Sequence, residues 1–380
     1  MNLAFCLFNY FPFGGLERNF LAIGQECIHR GHNVDVFTMN WHAQYPPNIP
    51  VNTIPARGLS NHAKAVSFAK GLTHVLHDAK YDLTVGFNKI PDVDLYYAAD
   101  VCYVLDIARR RTFLSRLTQR YRIYAELEQS VFGVNERTHI MYLSESEKEN
   151  YIRVYGTPDN RFHYLPPGID KTRIRAAISD QTRREIRMEL HLADRQLMLL
   201  MIGSDFKRKG VSRAISAVAA LPRDLRDRVE LFIIGKGKKA PLVRQAVKAR
   251  IGDRVHFLGG QLEVPRFLAG ADLLLHPAMT ENTGNVILEA IVAGVPVLAT
   301  EICGYAFHVK EAHCGLLVPE TFHQEAMNTL LERMLLEEDL RELGRNGWSY
   351  ADRTDLYSRR LAAAEIIEGL AEREDLRAVL

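Results

Sequence analysis

The feature that most constrains this chain is the alternation of short apolar runs with helical segments, which runs through the first half and is repeated in the second. Strands that alternate with helices form a parallel sheet that is covered on both faces. The sequence therefore predicts an α/β chain with two doubly wound, Rossmann-like sheets. The apolar runs lie at 2–8, 33–39, 82–87, 95–99 and 138–143 in the first half, and at 196–203, 229–235, 254–260, 271–277 and 295–300 in the second.

Domain boundaries follow from length and loop punctuation. A chain of 380 residues exceeds what one hydrophobic core usually supports. The segment 162–170 (FHYLPPGID) is dense in loop residues, so we expect a first domain at 1–168 and a second at 169–353. The remainder, 354–380, is predicted to be a helix that returns to the first domain. Because parallel sheets bind ligands at the carboxyl ends of their strands, the two domains are expected to face each other across a cleft.

Composition excludes several classes of protein. The formal net charge of +2 is too small for a basic field over the whole molecule, so any anionic partner must meet a local patch. The five cysteines form no CxxC pair, which favours a reducing, cytoplasmic setting, and no metal-ligand spacing is visible. No run approaches the roughly 18 apolar residues of a spanning helix, and the N-terminus is predicted to be a strand, not a signal peptide.

The segment 271–300 carries the most chemical information. A buried strand ends at His276 and a helix is expected to begin near Thr283. Free amides at a helix start favour a bound phosphate. Glu281 lies in the preceding loop, whereas Glu289 lies inside an apolar helix, where an ionised carboxylate needs a partner. The simpler alternatives are that Glu281 is a solvated charge in the loop and that Glu289 lies on the surface of the helix. The amides concerned belong to Thr283, Gly284, Asn285 and Val286.

This segment resembles glycosyltransferase family 4, whose members have the GT-B fold. The resemblance rests on the strand, the two glutamates with seven residues between them, and the AGVPV that follows. It implies that Glu281 contacts the donor sugar and Glu289 the ribose of a nucleotide-sugar donor. PFGGLER at 12–18 resembles the family's first glycine-rich loop, so Gly14 and Gly15 are expected near the donor; an ordinary strand-to-helix turn is the alternative.

The loop IGSDFKRKG at 202–210 resembles the family's diphosphate-binding loop, and Lys209 matches the family lysine. Many members carry an arginine where this chain has Ser204. Arg208 or Arg173 is expected to supply that charge. A solvated basic run is the alternative, which the position between a strand and a helix disfavours.

Longer stretches narrow the resemblance to the lipopolysaccharide core glucosyltransferases within the family. They include AFCLFNYFPFGGL, VGFNKIPDVDLYYAADVCY and GSDFKRKGV. That subgroup implies retaining transfer of glucose from UDP-glucose to an inner-core heptose of lipopolysaccharide, with neither metal nor cofactor. Asn19 and Gln261 depart from the subgroup. Another donor sugar or glycan acceptor, and a non-catalytic nucleotide-sugar-binding protein at the membrane, therefore remain open. A dinucleotide oxidoreductase is disfavoured because PFGGLER lacks the GxGxxG spacing.

Three residues are expected to act in catalysis: Lys209 at the leaving phosphate, Glu281 at the donor sugar, and Asp100 on the acceptor hydroxyl. The resemblance implies attack by that hydroxyl from the face that the phosphate leaves. Asp100 ends the run LYYAAD, and a strand-end or helix-capping aspartate is its simpler interpretation.

The segment 103–130 is predicted to be a basic amphipathic helix that contacts a membrane. Phe113, Leu117, Tyr121 and Tyr124 recur at the spacing of one helical face. Nucleic-acid binding, or a charged helix packed on the core, is the alternative; the expected lipid acceptor favours an anionic membrane surface, at the inner face of the inner membrane, over nucleic acid. The arginines concerned are Arg109, Arg110, Arg111, Arg116, Arg120 and Arg122.

Overall fold

The structure, a computed structural model, describes residues 1–12, 14–110 and 113–378. The chain forms two compact units. The first comprises Met1–Gly168 together with Ser358–Leu380, and the second comprises Ile169–Tyr357.

The first unit contains a parallel sheet that has seven strands in the described part of the chain, in the order β3-β2-β1-β4-β5-β6-β7. The short strands β3 and β7 were not predicted. Both lie at an edge of the sheet with one neighbour each, so neither needs a continuous apolar run. The strands are β1 (Asn2–Tyr10), β2 (Asn33–Trp41), β3 (Val51–Thr53), β4 (Leu83–Gly86), β5 (Leu95–Ala98), β6 (His139–Tyr142) and β7 (Phe162–Tyr164).

Helices cover this sheet, and α1 shows how the sequence specifies their buried faces. Phe20, Ile23 and Cys27 recur at helical spacing and are buried against the sheet core. The helices within 1–168 are α1 (Gly15–His29), α2 (Asn61–Asp78), α3 (Tyr103–Arg110), α4 (Gln119–Phe132) and α5 (Glu145–Tyr155).

The prediction of one amphipathic helix over 103–130 is wrong. A 3-10 helix at Phe113–Leu117 separates α3 from α4. Thr118 ends it, because its hydroxyl accepts a hydrogen bond from the Tyr121 amide at 3.2 Å and so caps a new helix. Apolar spacing alone does not reveal such a break.

The second unit contains another parallel sheet, with six strands among the described residues, in the order β10-β9-β8-β11-β12-β13. Every residue of β9 is buried, as expected for a strand covered on both faces. The edge strand β13 was not predicted. The strands are β8 (Leu197–Ile202), β9 (Val229–Ile234), β10 (Val255–Gly259), β11 (Leu273–His276), β12 (Val297–Thr300) and β13 (Gly315–Val318).

The helices of the second unit lie mainly between successive strands. They are α6 (Lys171–Ala177), α7 (Asp180–Glu189), α8 (Val211–Ala220), α9 (Arg223–Arg226), α10 (Ala240–Lys248), α11 (Val264–Gly270), α12 (Asn285–Ala293), α13 (Ala306–Glu311), α14 (Gln324–Leu336) and α15 (Leu340–Arg353).

The last helix, α16 (Arg359–Ala378), belongs to the first unit and packs on α1. Ala363, Ala364 and Ile367 enter the core of that unit. Arg359 is buried, and its guanidinium donates hydrogen bonds to the Pro166 carbonyl at 3.0 Å and to the Tyr97 hydroxyl at 3.3 Å. The second unit extends to Tyr357, four residues beyond the boundary placed from sequence.

In each sheet the strand that comes first in the chain lies in the interior, and later strands are added on both sides of it. In the first unit β1 lies between β2 and β4, and in the second β8 lies between β9 and β11. Ligands of such sheets bind beside the carboxyl ends of strands at this switch point. The loops after β1, β8 and β11 therefore occupy the positions where a site is expected.

Across residues 1–12, 14–110 and 113–378, no helix combines the length and apolar character that crossing a bilayer requires.

Candidate functional site

The loop after β8 meets the loop after β11 at the carboxyl edge of the second sheet. Gly210 has a φ of +74°, and a Cβ atom there would lie 1.9 Å from the carbonyl oxygen of Pro277, so only glycine fits. The Met279 amide donates a hydrogen bond to the Arg208 carbonyl at 2.8 Å. These backbone contacts bring the basic loop and the Glu281 loop together.

Lys209, Arg208 and Glu281 form one charged cluster at this junction. The Lys209 ammonium donates a hydrogen bond to Glu281 Oε2, and Arg208 Nη1 donates to the same oxygen at 3.0 Å. Burial opposes ionisation of Glu281, but His276, Lys209 and Arg208 outweigh it and hold the pKa of that carboxyl well below its usual range. The cluster thus contains an ionised carboxylate between two cations.

His276, the last residue of β11, lies directly behind this carboxylate. Its side chain is 1% exposed and its Nε2 lies 3.6 Å from Glu281 Oε2. Within the described part of the chain, that nitrogen has no hydrogen-bond partner. Burial is the main cause that lowers the pKa of His276, so the imidazole is neutral at neutral pH. Sequence reasoning noted His276 only as a strand end; its place beside a proline after a buried strand was the available signal.

The helix after Glu281 begins at Asn285, two residues later than expected. Gly284 precedes it with a φ of +85°, a conformation that keeps Thr283 and Gly284 outside the helix. The Tyr305 amide donates to the Thr283 carbonyl at 2.9 Å, which anchors this turn. Of the four amides predicted at the helix start, those of Asn285 and Val286 lie in its first turn.

Glu289 is the fifth residue of α12. Its neighbours Leu288 and Ala290 are fully buried, whereas Glu289 itself is half-buried. The structure therefore places Glu281 before the helix and Glu289 about one turn inside it.

Arg173 contacts a different loop. In the first turn of α6, its Nη2 donates to the Leu262 carbonyl at 2.5 Å and lies 3.7 Å from Glu263. The structure thus does not bring it into the Lys209 cluster. Ser204, which stands where many family members have arginine, accepts a hydrogen bond from the Lys236 amide at 3.2 Å. Arg208, not Arg173, places its charge beside Glu281.

Gly14 and Gly15 connect β1 to α1 in the first unit. A Cβ atom at Gly14 would lie 1.6 Å from Oε2 of Glu17, so the Glu17 carboxylate folds back over this loop. Burial, and secondarily the charge of Asp100, raise the pKa of Glu17. Asp100 is exposed just after β5, and its carbonyl accepts a hydrogen bond from the Tyr151 hydroxyl at 3.0 Å. Sequence reasoning missed Glu17, although it is the one acidic residue in PFGGLER.

The basic segment presents charge outward. The side chains of Arg109, Arg116, Arg120 and Arg122 are exposed, while Arg111 and the side chain of Arg110 lie outside the described residues.

Its aromatic residues are arranged differently from the prediction. Tyr121 and Tyr124 pack against Tyr103 of α3, with ring centroids 5.9 and 5.6 Å apart. Leu117 is 57% exposed in the 3-10 helix, and the side chain of Phe113 lies outside the described residues. The four predicted residues therefore do not form one helical face.

Comparison with known proteins identifies the family to which this chain belongs. The model for Glycosyltransferase Family 4 matches residues 13–173, and the model for Glycosyl transferases group 1 matches residues 182–347. The lipopolysaccharide glucosyltransferase WaaG of Escherichia coli K12 is 41% identical over 370 residues, which cover 97% of this chain and 99% of that protein. The chain therefore belongs to the same glycosyltransferase family as WaaG, glycosyltransferase family 4.

Solved structures agree with the family assignment. The crystal structure of WaaG, a glycosyltransferase involved in lipopolysaccharide biosynthesis, matches with a TM-score of 0.92 and covers 97% of this chain and 100% of that one. Anabaena HepE in complex with UDP and glucose matches with a TM-score of 0.76 at 17% identity, over 97% of this chain and 100% of that one, which shows a shared fold. The predicted GT-B architecture of this glycosyltransferase, with two Rossmann-like sheets, is confirmed.

Proposed function

We propose that this glycosyltransferase transfers glucose from UDP-glucose to an inner-core heptose of lipopolysaccharide. Retention of anomeric configuration, independence from metal ions and cofactors, and action at the cytoplasmic face of the inner membrane are parts of the same proposal. Its main support is the pairing of Lys209 and Arg208 with Glu281 at the carboxyl edge of the second sheet. The name of the 41% identical relative supports the acceptor class.

The chemistry of the leaving group explains the cations. When the bond from the anomeric carbon to the diphosphate breaks, negative charge accumulates on the β-phosphate. Preorganised positive groups stabilise that charge without having to reorganise. In this proposal Lys209 and Arg208 supply full charges, and the amides of Asn285 and Val286 supply the positive end of a helix dipole. Glu281 keeps both cations in place before the donor arrives.

The carboxylates fit the sugar part of the donor. An ionised carboxylate accepts hydrogen bonds from hydroxyl groups, so Glu281 suits the hexose and Glu289 suits the ribose. The neutral imidazole of His276 limits the freedom of the Glu281 side chain from behind. Arg173, Thr283 and Gly284 remain proposed donor contacts; Arg173 has the weakest support, since its guanidinium bonds to the Leu262 carbonyl.

The first unit supplies the remaining proposed residues. Gly14 and Gly15 remain proposed contacts of the donor phosphate and the reacting sugar; the space beside Gly15 is open, whereas the Glu17 carboxylate occupies the space beside Gly14. Asp100 orients the acceptor hydroxyl, which attacks from the face that the phosphate leaves, and the departing phosphate oxygen receives the hydroxyl proton. No nucleophilic side chain is needed for retention in this scheme.

The deciding experiment is a donor comparison with purified protein and lipopolysaccharide truncated after the inner-core heptose. With UDP-glucose as donor, we expect the release of UDP to depend on the acceptor and to continue in the presence of EDTA. NMR of the product should show an α-linkage. Faster turnover with UDP-galactose, UDP-N-acetylglucosamine or an ADP- or GDP-sugar would change the donor assignment. Donor binding without acceptor-dependent release would favour the non-catalytic alternative raised by Asn19 and Gln261.

A further inference from the structure

A cavity lies within the second unit, at the edge of the sheet opposite to Lys209 and Glu281. Its volume is about 1090 Å³. The wall is built by α7, by the start of α15, and by residues that directly precede strands, such as Gln196 before β8 and Pro296 before β12. These positions are at the amino ends of the strands, whereas Lys209 and Glu281 follow the carboxyl ends. The cavity is therefore distinct from the proposed donor site.

The lining of this cavity is strongly cationic. Six arginines and three aspartates, Asp180, Asp194 and Asp272, line it. The net formal charge of the lining is therefore positive and exceeds the net charge of the whole chain, which is +2. The arginines are Arg183, Arg184, Arg187, Arg195, Arg228 and Arg341.

Two of the arginines are structural. Arg183 Nη2 donates to Asp272 at 2.5 Å, and Arg187 Nη1 donates to the other oxygen of the same carboxylate at 3.1 Å. Both also donate to the carbonyl of Gly270, at 3.1 and 3.2 Å. These bonds neutralise Asp272, so it does not offset the other cations.

The other four arginines make few bonds to the described part of the protein. Arg184, Arg195 and Arg341 are exposed, and within residues 1–12, 14–110 and 113–378 their side chains have neither a hydrogen-bond nor a salt-bridge partner. Arg228 is also exposed, and among the described residues its side chain donates through Nε alone, to the Arg195 carbonyl at 3.2 Å. Like charges that share a concave surface repel one another, and a bound anion relieves that repulsion.

Arg341 lies at the start of α15, where the Asp339 carboxylate already caps the amides of Arg341 and Glu342, at 2.9 and 3.2 Å. The guanidinium, and not the helix end, is therefore the group that faces a bound anion. Leu192, Leu197, Pro296 and Leu340 add an apolar wall beside the guanidinium groups. Arginine forks suit phosphate oxygens, and the wall suits the carbon skeleton attached to the phosphate.

We propose that this cavity binds a phosphate-bearing anion through Arg184, Arg195, Arg228 and Arg341. The phosphate belongs either to a soluble phosphorylated compound or to the headgroup of an anionic phospholipid. In the second case the cavity would give the second unit its own contact with a lipid surface, separate from the segment 103–130.

The test compares two triple variants of the full chain with equal net charge. Arg184→Gln/Arg195→Gln/Arg341→Gln alters the cavity, whereas Arg223→Gln/Arg244→Gln/Arg345→Gln removes three exposed arginines of the same unit that do not line it. Binding of pyrophosphate is measured by calorimetry with UDP in excess. Binding to phosphatidylcholine vesicles with and without phosphatidylglycerol is measured by sedimentation, with Arg116, Arg120 and Arg122 neutralised in every protein. Circular dichroism verifies that each variant is folded.

We expect the cavity variant to bind one probe about a hundredfold more weakly than the control, because neutralising each arginine near an anionic surface costs roughly fivefold in affinity. Loss confined to pyrophosphate identifies a soluble ligand, and loss with phosphatidylglycerol vesicles identifies a lipid headgroup. Equal binding of both probes by the two variants would overturn the proposal.

Discussion

The ammonium of Lys89 donates a hydrogen bond to Oε2 of Glu128 inside the first unit. Glu128, on α4, is fully buried and also accepts from the amides of Tyr103 at 2.7 Å and Val104 at 3.2 Å. Lys89 donates to the carbonyl of Val101 at 3.3 Å. One ion pair therefore ties the basic segment to the turn that follows Asp100.

Removing one partner of this pair should destabilise the protein strongly. Glu128→Ala leaves the Lys89 charge buried without its carboxylate, so we expect a loss of about 3–5 kcal/mol in the free energy of unfolding. Urea unfolding measures this. Glu126→Ala, at an exposed position of the same helix, is the control and should change little. The double variant Lys89→Met/Glu128→Leu should lose less than Glu128→Ala; an equal or greater loss would contradict this account of the pair.

Lys209→Ala should reduce turnover by about 10²–10³-fold, because it removes one preorganised charge at the leaving phosphate. The measurement is kcat for UDP release with saturating donor and acceptor. Lys207→Ala, two residues earlier and exposed, should leave kcat nearly unchanged. If Lys209→Ala kept activity within twofold of the parent, Lys209 would have no role at the phosphate.

Asp100→Asn should reduce transfer to the acceptor by roughly 10²-fold, since a neutral amide oxygen accepts a weaker hydrogen bond than a carboxylate and holds the attacking hydroxyl less firmly in position. Affinity for UDP-glucose, measured by calorimetry, should stay at the parent value. Asp92→Asn is a matched control at an exposed position where asparagine tolerates the φ of +61°. Unchanged acceptor turnover and acceptor affinity in Asp100→Asn would leave Asp100 as a strand-end residue only.

Neutralising Arg116, Arg120 and Arg122 to glutamine should weaken binding to anionic vesicles by about a hundredfold at low salt. The three side chains are exposed on the 3-10 helix and α4, so their charges reach solvent. Vesicle sedimentation at increasing salt checks this, with Lys80→Gln/Arg137→Gln/Arg153→Gln as the control of equal charge. Equal binding of the parent to anionic and neutral vesicles would refute the predicted membrane contact.

Stability should fall in acid because of two buried carboxylates. Burial opposes ionisation of Glu128, but the charge of Lys89 outweighs it and lowers the pKa of that carboxyl. Burial likewise opposes ionisation of Glu281, and there His276, Lys209 and Arg208 together lower the pKa. Below the unfolded value of about 4.3, the unfolded chain binds protons that the folded chain excludes. Their contribution is therefore complete above about pH 5 and is lost as the pH falls.

Urea unfolding between pH 7 and pH 3.5 tests this dependence. Glu281→Gln removes one of the two groups, so the free energy of unfolding of that variant should depend less steeply on pH below about 5. An identical slope in the parent and in Glu281→Gln would show that Glu281 does not contribute.

The placement of many candidate site residues was predictable because they are close in sequence or follow strands. Lys209 and Glu281 each lie just after a buried apolar strand, and loops after parallel strands meet at one edge of the sheet. The spacing of Glu281 and Glu289 likewise showed that one precedes the helix and the other lies within it. Short edge strands such as β3 and β13 escaped prediction because they bury little and need no long apolar run.

Other features depend on contacts between distant residues. Periodicity predicted one helix over 103–130, but the Thr118 cap divides it. Both Arg208 and Arg173 were candidates for the missing basic charge, and only the fold showed that Arg208 reaches Glu281 while Arg173 reaches the Leu262 carbonyl. Glu17, Lys89 and Glu128 drew no attention as isolated charges in the sequence.

The sequence by itself determined the α/β alternation, the two sheets and the family, because apolar periodicity and motif spacing are local properties of the chain. The tertiary structure alone decided which charges pair. Lys209 lies 72 positions from Glu281, and Lys89 lies 39 positions from Glu128. The free energy of a buried charge depends on what the fold places within a few ångströms of it, and neither residue type nor spacing contains that information.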